Sequence, residues 1–291
     1  MAEITAAKVK ELRERTGSGM MDRKKALAET NGDMEKAIDY LREKGLAKAA
    51  KKAERTASDG RIFHIVSEDG KRGVMIELNS ETDFVAKTDE FNDLGKKLTA
   101  HLFEKSYNDP AALLESTHET GVKVNDLVTA VIAKLGENIV LKRFARFDAP
   151  NGRAFCYIHS NYKVGALVEL DADNSAVINS PEFAELGHEI CMQIAAANPL
   201  YLVQEDAPED VLEREKAVYR QQLLDEGKPA DQIDEKILPG KMRKYFENTC
   251  LLEQEYIRDT DKKVKDLVAE VGKKLGAKIS VKRFERFSIG E

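Results

Sequence analysis

Apolar residues in the first 45 positions recur at helical spacing: Ile4, Val9 and Leu12, then Ala26 and Leu27, then Met34, Ala37, Ile38 and Leu41. The pattern predicts three short amphipathic helices, the first ending before Gly17, the second closed by Asn31 and Gly32, with Asp22 as the N-cap of the second and Asp33 opening the third. A one-sided stripe can be buried only against the other two helices, so residues 1–45 read as a compact three-helix module. The charged, alanine-rich run Lys44 to Arg55 follows, and residues 46–60 read as a solvated helical linker.

From residue 61 the period changes. Residues 61–67 with 73–79, and 153–159 with 164–170, predict two β-hairpins. The chain also matches itself. Val124 to Phe147 and Val264 to Phe287 share 14 of 24 positions without a gap, and Gly73 to Gly95 shares 8 of 23 with Gly165 to Gly187. Each copy therefore reads strand, strand, helix, variable region, helix, strand, with Gly136 or Gly276 closing the second helix and Ile139 to Phe147 or Ile279 to Phe287 forming the last strand. The expected fold class is α+β: the three-helix module, then a duplicated core whose subdomains, 61–150 and 151–204 with 259–291, pack about a pseudo-twofold axis.

The second copy is 48 residues longer between the matched blocks. The excess reads as an inserted helical hairpin within 205–258: Pro208 to Glu226, a turn at Gly227-Lys228-Pro229, then Asp231 to about Asn248 with a break at Pro239-Gly240. Its apolar residues Leu212, Val218, Tyr219, Leu223, Ile233, Ile237, Met242, Tyr245 and Phe246 exceed what an isolated hairpin can bury. Either the core or a second protomer is implied as their cover.

The candidate chemistry lies in three loops. Thr82-Asp83-Phe84-Val85 follows an apolar strand; Thr82 and Asp83 favour turns and caps, yet Phe84 and Val85 are large apolar residues where a solvent-facing loop normally has none. Phe84 either folds back onto its own core or is presented, with Asp83, to another protein, because aromatic residues concentrate at interface centres. The aligned second copy has Asn174-Ser175-Ala176-Val177, so the fold tolerates the loss of both acid and aromatic, which favours presentation. Thr16-Gly17-Ser18-Gly19-Met20-Met21 offers adaptable methionines beside glycines that let another backbone approach; one Met is expected in the module's core and the other exposed. The third loop is the hairpin tip Tyr157-Ile158-His159, where a His beside Ser160 and Asn161 reads, from the residues alone, as solvent-exposed and inert.

Composition narrows the class. A net charge of −6 argues against nucleic acid as the main partner. No stretch approaches the roughly 20 apolar residues of a membrane span, and MAEITAAKVK carries no apolar signal region, so a cytoplasmic protein is expected. Three scattered cysteines read as free thiols, and the five histidines show no metal-ligand spacing. No phosphate loop, dinucleotide fingerprint or nucleophile motif is present, so a binding protein without cofactor or metal is expected rather than an enzyme. The alternative is a ribosome- or RNA-associated adaptor using the three-helix module and the basic pairs Lys142-Arg143 and Lys282-Arg283.

The run ELNSETDFVAK (Glu77 to Lys87) closely resembles the second signature of bacterial elongation factor Ts, the nucleotide exchange factors of the GTPase elongation factor Tu. LRERTGSGMMDRKKAL (Leu12 to Leu27) resembles that family's first signature, in the same order and at the expected separation. The resemblance implies a ubiquitin-associated-type N-terminal domain whose Thr16 to Met21 loop contacts the partner. It implies that Thr82, Asp83, Phe84 and Val85 enter the GTPase domain beside its Mg²⁺ and phosphate site and displace the groups that order the metal. It also implies that Tyr157, Ile158 and His159 touch the third domain of elongation factor Tu, and that the insertion can join two copies, as a homodimer or a 2:2 complex. The extra C-terminal helical module of some members is not expected, since the second repeat runs almost to Glu291.

Overall fold

The structure, a computed structural model, describes residues 4–16, 18–233 and 237–291. Three helices come first: α1 (Ala6–Thr16), α2 (Met20–Glu29) and α3 (Met34–Ala50). Leu12, Ala26, Leu27, Ala37 and Leu41 form their shared core. Gly19 rather than Asp22 precedes α2; Asp22 lies in its first turn and accepts from the Lys44 and Lys48 ammonium groups at 2.9 and 3.1 Å. Asn31 and Gly32 are both left-handed, at φ 51° and 76°, and end α2, while Asp33 caps α3 by accepting the Lys36 N–H. Helix α3 continues past residue 45 to Ala50, because Ala and Lys are strong helix formers. Helix α3 docks the module on the core: Arg42 pairs with Asp126 at 2.9 Å, and Ala49 in the extension is buried in the core cluster of the first sheet.

The core holds two three-stranded antiparallel sheets. Strands β1 (Asp59–Val66), β2 (Arg72–Ser80) and β3 (Ile139–Asp148) form the first, in that order; β4 (Gly152–Ile158), β5 (Val164–Ala172) and β8 (Ile279–Ser288) form the second. The duplication reaches the irregularities: β2 slips register against β3 between Glu77 and Leu78, and β5 slips against β8 between the aligned Glu169 and Leu170. Helices α5 (Asp89–Glu104) and α7 (Val124–Leu135), with the short α6 (Pro110–Glu115) between them in the chain, cover the first sheet, with Phe91, Leu98, Leu113 and Ile132 in one core with Ile76, Leu78 and Leu141. Helices α8 (Pro181–Ala197) and α12 (Val264–Leu275) cover the second in the same way. Gly136 and Gly276, at φ 86° and 65°, close α7 and α12 in the left-handed conformation a glycine adopts without steric cost.

The sheets face each other through Ile62, Met75, Ala145, Phe147, Ala154, Leu167 and Phe287. Arg143 stacks over Phe287 at 4.5 Å and Arg283 over Phe147 at 4.3 Å, each bonded to a strand glutamate, Glu77 or Glu169, at 2.6 Å. These arginines stitch the two repeats together.

In the second copy α9 (Glu209–Asp225), a short turn α10 (Ala230–Gln232) and α11 (Leu238–Thr249) form the insertion. Pro239 sits in the first turn of α11, where its missing N–H costs nothing, so the expected break is a helix start. Leu223, Ile233 and Met242 are buried and Val218 is exposed, so the hairpin covers part of its apolar surface itself. A parallel bridge between Tyr201 and Cys250 closes its base, and a two-stranded ribbon, β6 (Glu255–Tyr256) with β7 (Asp259–Lys263), leads into α12. Among the described residues no helix is long and apolar enough to cross a membrane.

Candidate partner-binding surface

Strand β2 ends at Ser80, and a one-turn helix α4 (Asp83–Ala86) follows with Thr82 as its N-cap. The Thr82 hydroxyl accepts the Val85 N–H at 3.4 Å and donates to Glu137 at 2.8 Å, while the Thr82 N–H donates to the other Glu137 oxygen at 3.0 Å. Glu81 accepts the Asn138 N–H at 2.7 Å, and the second copy repeats that bond between Asp173 and the Lys278 N–H. At the position of Glu137 the second copy has Ala277. The Glu137 clamp thus exists only in the copy that carries the acid and the aromatic.

The turn sorts its side chains, and the unclamped second copy sorts them alike, with Ala176 exposed and Val177 buried. Val85 and Ala86 turn into the core, whereas Phe84 is 79% exposed. Leaving a Phe in water forgoes about 1.5–3 kcal/mol of burial, and the second copy shows that the fold does not need a ring there. Lys87 bonds the Asp83 carboxylate at 2.6 Å and holds it below the usual carboxylate range, with Lys163 of the neighbouring hairpin adding to the pull. The same ammonium lies 6.0 Å from the Phe84 ring centroid. The turn therefore presents an ionised acid and a bare aromatic, both fixed before any partner arrives.

The N-terminal loop is built differently. The Thr16 hydroxyl bonds back to Leu12 O at 2.6 Å and accepts the Ser18 N–H at 3.4 Å, while Gly17 lies outside the described residues. Both methionines are exposed, Met20 by 60% and Met21 by 76%, in place of one buried and one exposed. The five residues on the three-helix stripes close that small core, and Met20 and Met21 begin α2 on its far side. Ser18 and Gly19 line a cleft with Ala130, Ala133 and Lys134 of α7, the helix whose C-terminal end leads to Glu137. One helix therefore frames both loops.

At the hairpin tip His159 is exposed and its Nδ1 lies 3.0 Å from the Tyr157 hydroxyl. Tyr157 and Ile158 are half-buried, Ile158 against the inter-sheet core. The tip leans on the first repeat: Lys163 bonds Asp59 at 2.8 Å, and the Ile62 N–H donates to Tyr162 O at 2.9 Å. Reading loops one at a time missed Glu137 and Lys87, although the simultaneous change of Thr82 to Asn174 and Glu137 to Ala277 between repeats was visible in the alignment. Among the described residues no group of three or more His, Cys, Asp or Glu is placed to hold a metal.

A profile of the family Elongation factor TS matches residues 81–291. The Elongation factor Ts of Clostridium acetobutylicum is 48% identical over 289 residues, covering 99% of this chain and 93% of that protein. Those of Trichlorobacter lovleyi and Symbiobacterium thermophilum are 45% and 46% identical over 290 and 292 residues, covering 99% and 100% of this chain and 93% of each relative. With a family match over residues 81–291 and relatives aligned over nearly its whole length, the chain belongs to the elongation factor Ts family of translation factors.

Proposed function

We propose that this chain binds GDP-bound elongation factor Tu and accelerates GDP release, so that GTP can enter, while binding no nucleotide and catalysing no reaction itself. The observation that carries this reading is Phe84, a large apolar side chain left 79% exposed on a turn that Glu137 holds rigid. Asp83 and Phe84 enter the GTPase domain beside its Mg²⁺ and phosphate site and displace the groups that order the metal. Disturbed Mg²⁺ coordination removes charge neutralisation at the β-phosphate, and GDP leaves faster. Thr82 caps and orients the turn, and Val85 anchors it from inside. The exposed Met20 and Met21 with Thr16, Ser18 and Gly19, and the tip at His159, supply further contacts, and the protein works in the cytoplasm beside its partner. The exposed part of the inserted hairpin is the surface through which two copies can join.

An RNA- or ribosome-bound adaptor has less support, because Arg143 and Arg283, though partly exposed, are each tied to a strand glutamate and stacked on an aromatic ring of the other repeat. The test is release of a fluorescent GDP analogue from elongation factor Tu, with co-elution of the two proteins on a sizing column. A concentration-dependent acceleration that saturates is expected. Release at the intrinsic rate in the presence of excess protein rejects the reading.

A further inference from the structure

Tyr162, at the turn of the second hairpin, has φ 61°. A bulky side chain in the left-handed region is an outlier that glycine would avoid, and the backbone duties of this position need no side chain. Its N–H donates to His159 O at 2.8 Å and its carbonyl accepts the Ile62 N–H at 2.9 Å. The strain is therefore spent on placing the ring, and the ring lies 4.7 Å from the Arg61 guanidinium on strand β1 of the other repeat. Arg61 in turn donates to Asn92 Oδ1 at 3.0 Å. The Asn92 amide nitrogen donates to Thr88 O at 2.7 Å, at the N-cap of α5, and to Ala86 O at 3.3 Å, the last carbonyl of the Asp83 to Ala86 turn. One unbroken set of contacts thus runs from the hairpin tip of the second repeat to the turn of the first.

We infer that Arg61 is a positioning residue for the Asp83–Phe84 turn, and that Tyr162 holds it in place, so that the hairpin tip and the turn meet a partner as one rigid surface. Glu137 fixes the N-terminal side of the turn and Asn92 the C-terminal side; Arg61 supplies the oriented donor that keeps Asn92 facing Ala86 O and the junction with α5. A planar guanidinium can stack on a ring and donate in its own plane at the same time, which an ammonium does less well. The functional half of this inference rests on the exchange activity proposed above, whereas the lock itself is readable without a partner.

The experiment compares Arg61→Ala, Arg61→Lys, Tyr162→Gly and Tyr162→Phe. Amide hydrogen exchange at Ala86, Lys87 and Thr88 reads the lock, and stimulated GDP release reads its use. Arg61→Ala, Arg61→Lys and Tyr162→Gly are expected to speed exchange at those amides about tenfold or more and to slow stimulated GDP release by a similar factor. Tyr162→Phe keeps the ring and is expected to match the wild type. Tyr162→Gly relieves the strained φ, so its melting temperature should equal or exceed that of the wild type while its activity falls, a separation that a merely structural role does not produce. Combined with Phe84→Ala, Arg61→Ala should add little further loss, since both act through one turn. Unchanged amide exchange in Arg61→Ala and Tyr162→Gly overturns the lock. Full additivity with Phe84→Ala, or faster amide exchange with unaltered GDP release, overturns the positioning role. A wild-type protein that fails to stimulate release removes the exchange reading and leaves the amide measurement to judge the lock.

Discussion

Glu137 holds Thr82 through both carboxylate oxygens, 2.8 Å from the hydroxyl and 3.0 Å from the backbone N–H. Charge-assisted bonds of this kind fix geometry more than they add stability at a half-exposed site. Glu137→Ala is therefore expected to cost about 1 kcal/mol of stability or less, because the second repeat already folds with Ala277. Stimulated GDP release should fall about tenfold. Thermal melting alongside the release assay checks both halves.

Phe84→Ala should leave the melting temperature unchanged, since the ring is 79% exposed and the second repeat has Ala176 at that place. An interface anchor is worth ~2 kcal/mol or more, a factor of about 30. If Phe84→Ala unfolds the protein while the folded fraction remains fully active, the ring belongs to the core and not to the interface.

Acidification should weaken the first repeat through His101, which is buried with its Nε2 2.6 Å from the Tyr107 hydroxyl and 2.8 Å from Ser116 Oγ. Burial first, then the neighbouring His118 and Lys105, lower its pKa from 6.5, with Glu119 opposing. A lowered folded pKa means the unfolded chain binds the proton more readily, so the stability is present above pH 6.5 and is lost as pH falls from there through the folded pKa. Melting curves between about pH 7 and pH 5 should show this loss, and His101→Gln should flatten it.

Replacing residues 208–248 with a short Gly/Ser bridge should leave both repeats intact, because Tyr201 and Cys250 already meet at the base of the insertion. The shortened protein is expected to keep exchange activity and to run as a monomer. Light scattering on both forms locates the self-association surface; equal masses would assign the hairpin another role.

Reciprocity gives the strictest check on the exchange reading. If the chain weakens GDP binding to elongation factor Tu, GDP must weaken the chain's own binding by the same factor. Added Mg²⁺ should strengthen that antagonism, because the ordered metal site and the Asp83–Phe84 turn compete. The dissociation constant is to be measured with nucleotide-free elongation factor Tu and then across a GDP series at two Mg²⁺ concentrations. A passive adaptor would bind equally well throughout.

Periodicity and self-similarity in the chain alone determined the three helices, the paired hairpins, the helix-closing glycines and the duplicated α+β core, because each rests on local backbone preference or on identity between aligned repeats. The contrast of Phe84 with Ala176 between the repeats also favours an outward-facing aromatic from the chain alone. Only the tertiary structure decided what holds that aromatic still. Glu137 lies 55 residues from Thr82, and Tyr162 lies 101 residues from Arg61; a side chain's partner across a sheet sandwich depends on how the repeats pack, which no local pattern encodes. The same reason separates Val85 from Phe84. Both are apolar neighbours in the sequence, and only the packing of the turn on the sheet sends one into the core and the other into solvent, as it does with Val177 and Ala176 in the second copy.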